Sequence, residues 1–404
     1  MHREVVEGRR WVAEKPFTDA LNFCMLLPGP EALQLAIYLG WRLHGVRGGL
    51  VAGLGFVLPA ILLLMVLAYL YAQHGSQPIV SGLLVGLKAA VIALVLQAIV
   101  RIGRRALRRP VHWVLAAAAF VALEILHVPF PLVILLAGLA GWITARPQPA
   151  KSVPREEHAV DAARESRASL PAAATSDGRT TNLSSLRVAL LGGVLWALPA
   201  LAVGFTLGFG SIWSRVYLFF TQAALVTFGG AYAVLGYVTS HLVADLHWLT
   251  AQQSVDGLAL AETTPGPLVI VLQFMGYMTG WNQPGALTAP LSALLAGMLA
   301  AWATFLPSFV FIFLGAPYIE RLSRMPKVSG ALAAITAAVV GIIATLAVLL
   351  ARVVLWPNGL QHAPDWIALA IGAVSWWLLE RTRLPLPWVL VLAAGAGLSA
   401  NVVG

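Results

Sequence analysis

Two short stretches carry residues that could hold an anion inside an apolar environment. Pro28-Gly29-Pro30 lies within LLPGPEALQLAIYLGW and Pro265-Gly266-Pro267 within ETTPGPLVIVLQFMGY, each inside an otherwise hydrophobic run. Proline removes a backbone donor and glycine permits unusual dihedrals, so each triplet should split its helix. The half-helix that follows presents free N–H groups and partial positive charge, which suits an anion. Asn22, Glu31 and Gln34 flank the first break, and Glu262, Thr263, Thr264 and Gln273 flank the second, so either set could complete a site. The alternative is that each triplet only kinks a packing helix, as Pro and Gly often do in membranes. Recurrence in two copies favours the site.

Lys88 is the other residue with chemical potential, because it falls near the middle of the apolar run 79–100, too deep to snorkel easily. A charge at that depth costs about 2.5 to 3.5 kcal/mol on insertion scales and marks a functional position by default. Its bland counterpart is an internal ion pair with Glu31 or Glu262. Glu124 and Glu380 lie near the ends of apolar runs and read as solvated, and His241 and His247 read as interfacial rather than metal-binding. Cys24 is the only cysteine, which excludes an internal disulfide and a Cys-based metal site, and there is no Walker A sequence. No cofactor is expected.

The elements that must position these residues are membrane helices. Of the 404 residues, 59% are hydrophobic and 11% charged, and the mean hydropathy is +0.82. A soluble chain could not hide so much apolar surface. The net charge of +9 resides mostly in short loops between apolar runs, which excludes a solvated nucleic-acid face and makes the lipid bilayer the partner. Residues 1–16 lack the pattern of a cleavable signal peptide. Runs near the length a bilayer demands lie at 17–40, 48–71, 79–100, 111–126 and 130–145, then at 187–210, 212–238, 257–280, 287–316, 329–351, 364–380 and 385–402. That is about 12 transmembrane segments. Between them, residues 146–186 are rich in Pro, Ala, Ser, Arg and Glu and read as a flexible linker.

The two halves repeat each other. Trp11, Asp19 and Pro28-Gly29-Pro30 match Trp248, Asp256 and Pro265-Gly266-Pro267 at a separation of 237; Pro59 and Ser81-Gly82 match Pro307 and Ser329-Gly330 at 248; Glu124, Pro129, Pro131 and Gly141 match Glu380, Pro385, Pro387 and Gly397 at 256. Cytoplasmic loops are enriched in Lys and Arg, and equivalent loops show opposite bias. The loop with Arg101, Arg104, Arg105, Arg108 and Arg109 matches one with Arg352 alone, whereas 72–78 has none against Arg321, Arg324 and Lys327 in 317–328. The same reversal sets 127–129, which has none, against Arg381 and Arg383. The expected fold is therefore all-α and polytopic: two inverted-topology repeats with broken helices, 1–145 and 187–404, joined by a cytoplasmic linker. The second copy opens with an apolar helix ending in Phe228-Gly229-Gly230, which has no counterpart in the first. This suggests that Met1 is not the true start or that the first copy is shortened, and it leaves open whether 17–40 spans or is re-entrant.

Several stretches resemble the chromate ion transporter family. ALNFCMLLPGPEALQLAIYLGW followed by HGVRGGLVAGLGFVLPA is similar to its first-half signature, and TFGGAYAVLGYV with DGLALAETTPGPLVIVLQFMGY to its second. The similarity covers nearly the whole chain outside the linker. It implies export of chromate across a bacterial inner membrane, with chromate resistance as the outcome. It adds Gly229 and Gly230 to the candidate binding residues and strengthens Lys88, since members usually carry a basic residue in that span. Chromate is a tetrahedral oxydianion much like sulfate, so amide N–H groups, hydroxyls and one lysine make a sensible site. A sulfate or other oxyanion permease is one rival reading, and a membrane-embedded enzyme using Glu and His on a lipid is another; a homo-oligomer is compatible with each.

Overall fold

The structure is a computed structural model that describes residues 3–8, 11–25, 27–145, 178–228, 230–316, 325–382 and 384–403. Gly229 and most of the linker, together with Met1, Arg321, Arg324 and Arg383, lie outside these residues, as does the side chain of Asn22. Among the described residues the chain is helical and contains no strand. Five helices are long and apolar enough to cross a membrane: Glu31–His74, Pro78–Ala106, Leu186–Leu207, Ala289–Gly315 and Lys327–Leu355. Pro110–Glu124, Phe130–Thr144 and Leu386–Asn401 are shorter apolar helices.

The first half contains α1 (Glu14–Cys24), α2 (Glu31–His74), α3 (Pro78–Ala106), α4 (Pro110–Glu124) and α5 (Phe130–Thr144). The second contains α6 (Gly178–Leu207), α7 (Ile212–Leu225), α8 (Ala231–Ser240), α9 (Ala251–Thr263), α10 (Val271–Asn282), α11 (Ala289–Gly315), α12 (Pro326–Leu355), α13 (Trp366–Arg381) and α14 (Leu386–Val403). Proline occupies the first turn of α3, α4, α5, α11 and α12, where its missing N–H costs nothing and its fixed φ suits the helix. Three of the apolar runs are not single helices: 17–40, 212–238 and 257–280 are each interrupted, by residues 25–30, 226–230 and 264–270.

Helix α2 is itself a hairpin. Its dihedrals leave the helical region at His44 and Gly45, and Gly40 packs directly on Gly48, which a continuous helix would hold far apart. A short arm, 31–43, therefore folds back along a long arm, 46–74. The second half repeats the arrangement with α10 and α11, where Gly280 approaches the Ser292 carbonyl and Gly276 that of Ala296. The long arm of α2 and its equivalent α11 cross antiparallel, through contacts of Gly49 with Phe313, Gly53 with Phe309 and Gly297 with Met65.

The terminal hairpin of each half packs on a helix of the other half. Gly86 lies against Ala393, and Gly397 against Gly82 and Gly86, so α14 docks on α3; Gly141 lies against Gly330, so α5 docks on α12. Gly341 meets Ala116 and Gly372 meets Ala89, joining α4 to α12 and α13 to α3. With no hydrophobic drive between helices in lipid, close backbone approach at small residues is what holds such contacts. Glu124 is not simply solvated: it receives Arg352 of α12 at 3.0 Å.

Candidate functional site

Both Pro-Gly-Pro triplets break their helices. Gly29 has φ +123° and Gly266 φ +148°, a region that L side chains rarely adopt. After the first break α2 begins on Pro30; after the second a three-residue 3-10 turn, Leu268–Ile270, begins on Pro267 and leads into α10, and neither start has a side-chain cap. The first backbone bonds run from Gln34 N to Pro30 and from Ile270 N to Pro267, which leaves the preceding amides without intrahelical acceptors. Two helix starts are thus bare, with the partial positive charge that suits an anion.

These breaks pack on the middle of the α2–α11 crossing. A side-chain carbon built on Gly29 would stand 2.7 Å from Ser308 Oγ of α11, and one on Gly266 would stand 2.6 Å from Ala60 Cβ of α2. Ala60 and Ser308 follow the matching prolines Pro59 and Pro307, so each break meets the equivalent point of the opposite half. The Gly29 N–H donates to Thr227 O at 2.8 Å, which joins the first break to the interruption between α7 and α8, where Gly230 has φ +106°. Gln34 donates through Nε2 to Pro28 O at 2.7 Å, and Gln273 donates to Ile61 O at 3.0 Å. The side-chain oxygens Gln34 Oε1, Gln273 Oε1 and Ser308 Oγ are buried without a hydrogen-bond partner. An unsatisfied buried polar atom costs free energy and asks for a function.

The remaining flanking residues divide. Thr263 and Thr264 both donate to the Leu260 carbonyl, at 2.7 and 3.0 Å, so their hydroxyl protons are engaged within their own helix. Glu262 accepts from Tyr232 Oη at 2.6 Å. Glu31, Pro28 and Leu268 are half-buried, whereas Pro265 and Gly266 are exposed and Pro267 is buried. Asn22 lies on α1 ahead of the first break.

Lys88 is buried in α3, and its ion-pair partner is Asp256 rather than Glu31 or Glu262. Nζ lies 3.0 Å from Asp256 Oδ1, with the two side chains 7% and 5% exposed. Tyr71 of the α2 long arm donates to Asp256 Oδ2 at 2.9 Å and sets its ring edge-on to Phe274, centroids 5.3 Å apart. Asp256 stands on α9, the helix that leads into the second break, so charge pair and break share one rigid element. Sequence reasoning used Asp256 only as a marker of the repeat and missed Tyr71, Tyr232 and Ser308. The available signal for Asp256 was a carboxylate opening an apolar run in a chain with one deeply placed lysine.

The family model for the chromate transporter matches residues 1–142 and 214–398. A probable chromate transport protein of Synechococcus elongatus is 29% identical over 98% of this chain and 88% of its own length. A chromate transport protein of Cupriavidus metallidurans is 28% identical over 99% of this chain and 87% of its own, and one of Pseudomonas aeruginosa is 32% identical over 87% and 76%. No solved structure gives a significant match. A membrane protein of apolar helices, matched by that model across both halves, this chain belongs to the chromate transporter family.

Proposed function

We propose that this chain exports chromate from the cytoplasm across a bacterial inner membrane, driven by the membrane potential, the proton gradient or both. The observation that carries the reading is the pair of bare helix starts packed on one crossing, each opposite the equivalent point of the other half. Lys88 supplies the fixed positive charge and the amides at 31–33 and 268–269 supply donors, with Gly229 and Gly230 as further binding residues. An interior-negative potential drives a dianion outward by roughly 4.6 kcal/mol per 100 mV, at about 2.3 for each charge, so no ATP is required.

In this reading the halves are inverted repeats, 1–145 and 187–404, spanning the membrane about 12 times and joined by a cytoplasmic linker at 146–186. The antiparallel crossing of the equivalent helices α2 and α11 supports inversion, as does the reciprocal docking of terminal hairpins. Inside-out vesicles test the function. Labelled chromate should enter under a lumen-positive potential, and excess sulfate should leave most of the initial rate intact. Uptake abolished by sulfate would instead make the chain a sulfate permease, and no uptake under either gradient would remove the export reading.

A further inference from the structure

Asp256 has a role in the proposed site that family membership does not assign. The ammonium of Lys88 and the carboxylate of Asp256 face each other at 3.0 Å, almost fully buried, and the second carboxylate oxygen is held by Tyr71 Oη at 2.9 Å. The pair as a whole is neutral. While it is intact, Lys88 offers an incoming anion no net charge, so an anion binds there only by taking the place of the carboxylate.

We infer that Asp256 is an internal counter-ion which the transported oxyanion displaces from Lys88. This rests on the proposal that Lys88 carries the substrate. Two states follow: an empty one with Lys88 on Asp256, and a loaded one with Lys88 on the oxyanion and Asp256 retained by Tyr71. In the empty state no uncompensated charge is buried, which lets the unloaded carrier reorient at low cost. The competitor also sets selectivity. A monoanion offers Lys88 one charge for the one it gives up, whereas a tetrahedral dianion offers two, so abundant monoanions such as chloride or nitrate gain nothing from the exchange. The three side chains come from α3, α9 and α2, so displacement would loosen contacts between three helices at once.

The test is equilibrium binding of chromate to the purified full chain, with nitrate as competitor, beside initial transport rates. Asp256→Asn should tighten chromate binding at least tenfold, make nitrate an effective competitor and lower the maximal transport rate. The double variant Lys88→Met/Asp256→Asn should bind no better than Lys88→Met. Unchanged or weakened chromate binding by folded Asp256→Asn, with Lys88→Met weak, overturns the counter-ion role alone. Wild-type binding by Lys88→Met overturns the proposal that Lys88 holds the anion, and this inference with it. If Asp256→Asn does not fold, Tyr71→Phe decides: it removes the donor that keeps the carboxylate once Lys88 has left, so chromate binding should weaken several-fold. Wild-type affinity in that variant counts against the exchange.

Discussion

At the residue scale, the Lys88–Asp256 pair makes each partner's deletion asymmetric. Lys88→Met strands a buried carboxylate, and breaking a buried pair from one side costs about 3 to 5 kcal/mol. We therefore expect Lys88→Met to lose both chromate uptake and thermal stability, and Lys88→Met/Asp256→Asn to recover stability without uptake; thermal unfolding in detergent beside vesicle rates separates the two. Lys88→Arg keeps charge but changes its shape, so it should retain at most part of the activity. At Gly29 the obstacle is the backbone itself. With φ +123° and Ser308 Oγ and Gln34 Nε2 at 2.7 and 2.8 Å from an added Cβ, Gly29→Ala should cost about 1 to 3 kcal/mol. Ser308→Ala in the same chain should not rescue it, because the dihedral strain persists; recovered stability would count against that account. Both breaks and Lys88 were legible in sequence, because Pro-Gly-Pro and a mid-span lysine are local exceptions to an apolar pattern. The partner of Lys88 was not, since Asp256, Glu31 and Glu262 are equivalent acids until tertiary packing chooses among them.

At the element scale, the terminal hairpins hold the halves together through glycine. Gly86 sits on the Ala393 backbone and Gly141 on that of Gly330, where any side chain forces α14 off α3 or α5 off α12. Gly86→Val and Gly141→Val should each reduce the yield of monodisperse protein after detergent extraction, while Gly193→Val, which meets nothing within 4 Å, should extract like the parent. Equal yields for all three would mean that the hairpins dock by other contacts. The length of the apolar runs located most of these helices, because runs of bilayer length need only composition to be seen. It did not reveal the exchange of hairpins between halves: a repeat offset states which segments are equivalent and is silent on which ones touch. It did divide α2, since the runs 17–40 and 48–71 part at 41–47, where the turn at His44–Gly45 lies, but it was silent on the two arms folding back on each other.

At the scale of the whole molecule, membership in a transporter family sets aside the reading as a membrane-embedded enzyme, and orientation becomes the question that controls mechanism. Inverted repeats give the substrate path two related gates, one facing each side, whereas parallel repeats would place equivalent loops together. Four exposed positions separate these cases. Ser76 precedes α3 and Lys327 opens α12, its repeat equivalent; Arg108 follows α3 and Gln361 lies in the loop after α12. The antiparallel crossing of α2 and α11, together with the Lys and Arg content of the loops, leads us to expect Ser76 and Gln361 outside and Arg108 and Lys327 in the cytoplasm. Cys24 is buried and is the single native thiol, so Cys24→Ala provides a clean background for one introduced cysteine at a time. A membrane-impermeant maleimide added to intact cells should label Ser76→Cys and Gln361→Cys, and should reach Arg108→Cys and Lys327→Cys only after lysis. Labelling of Ser76→Cys and Lys327→Cys from the same side would make the halves parallel. The two helix breaks would then have no gate of opposite orientation, and the case for alternating access at their meeting point would fail.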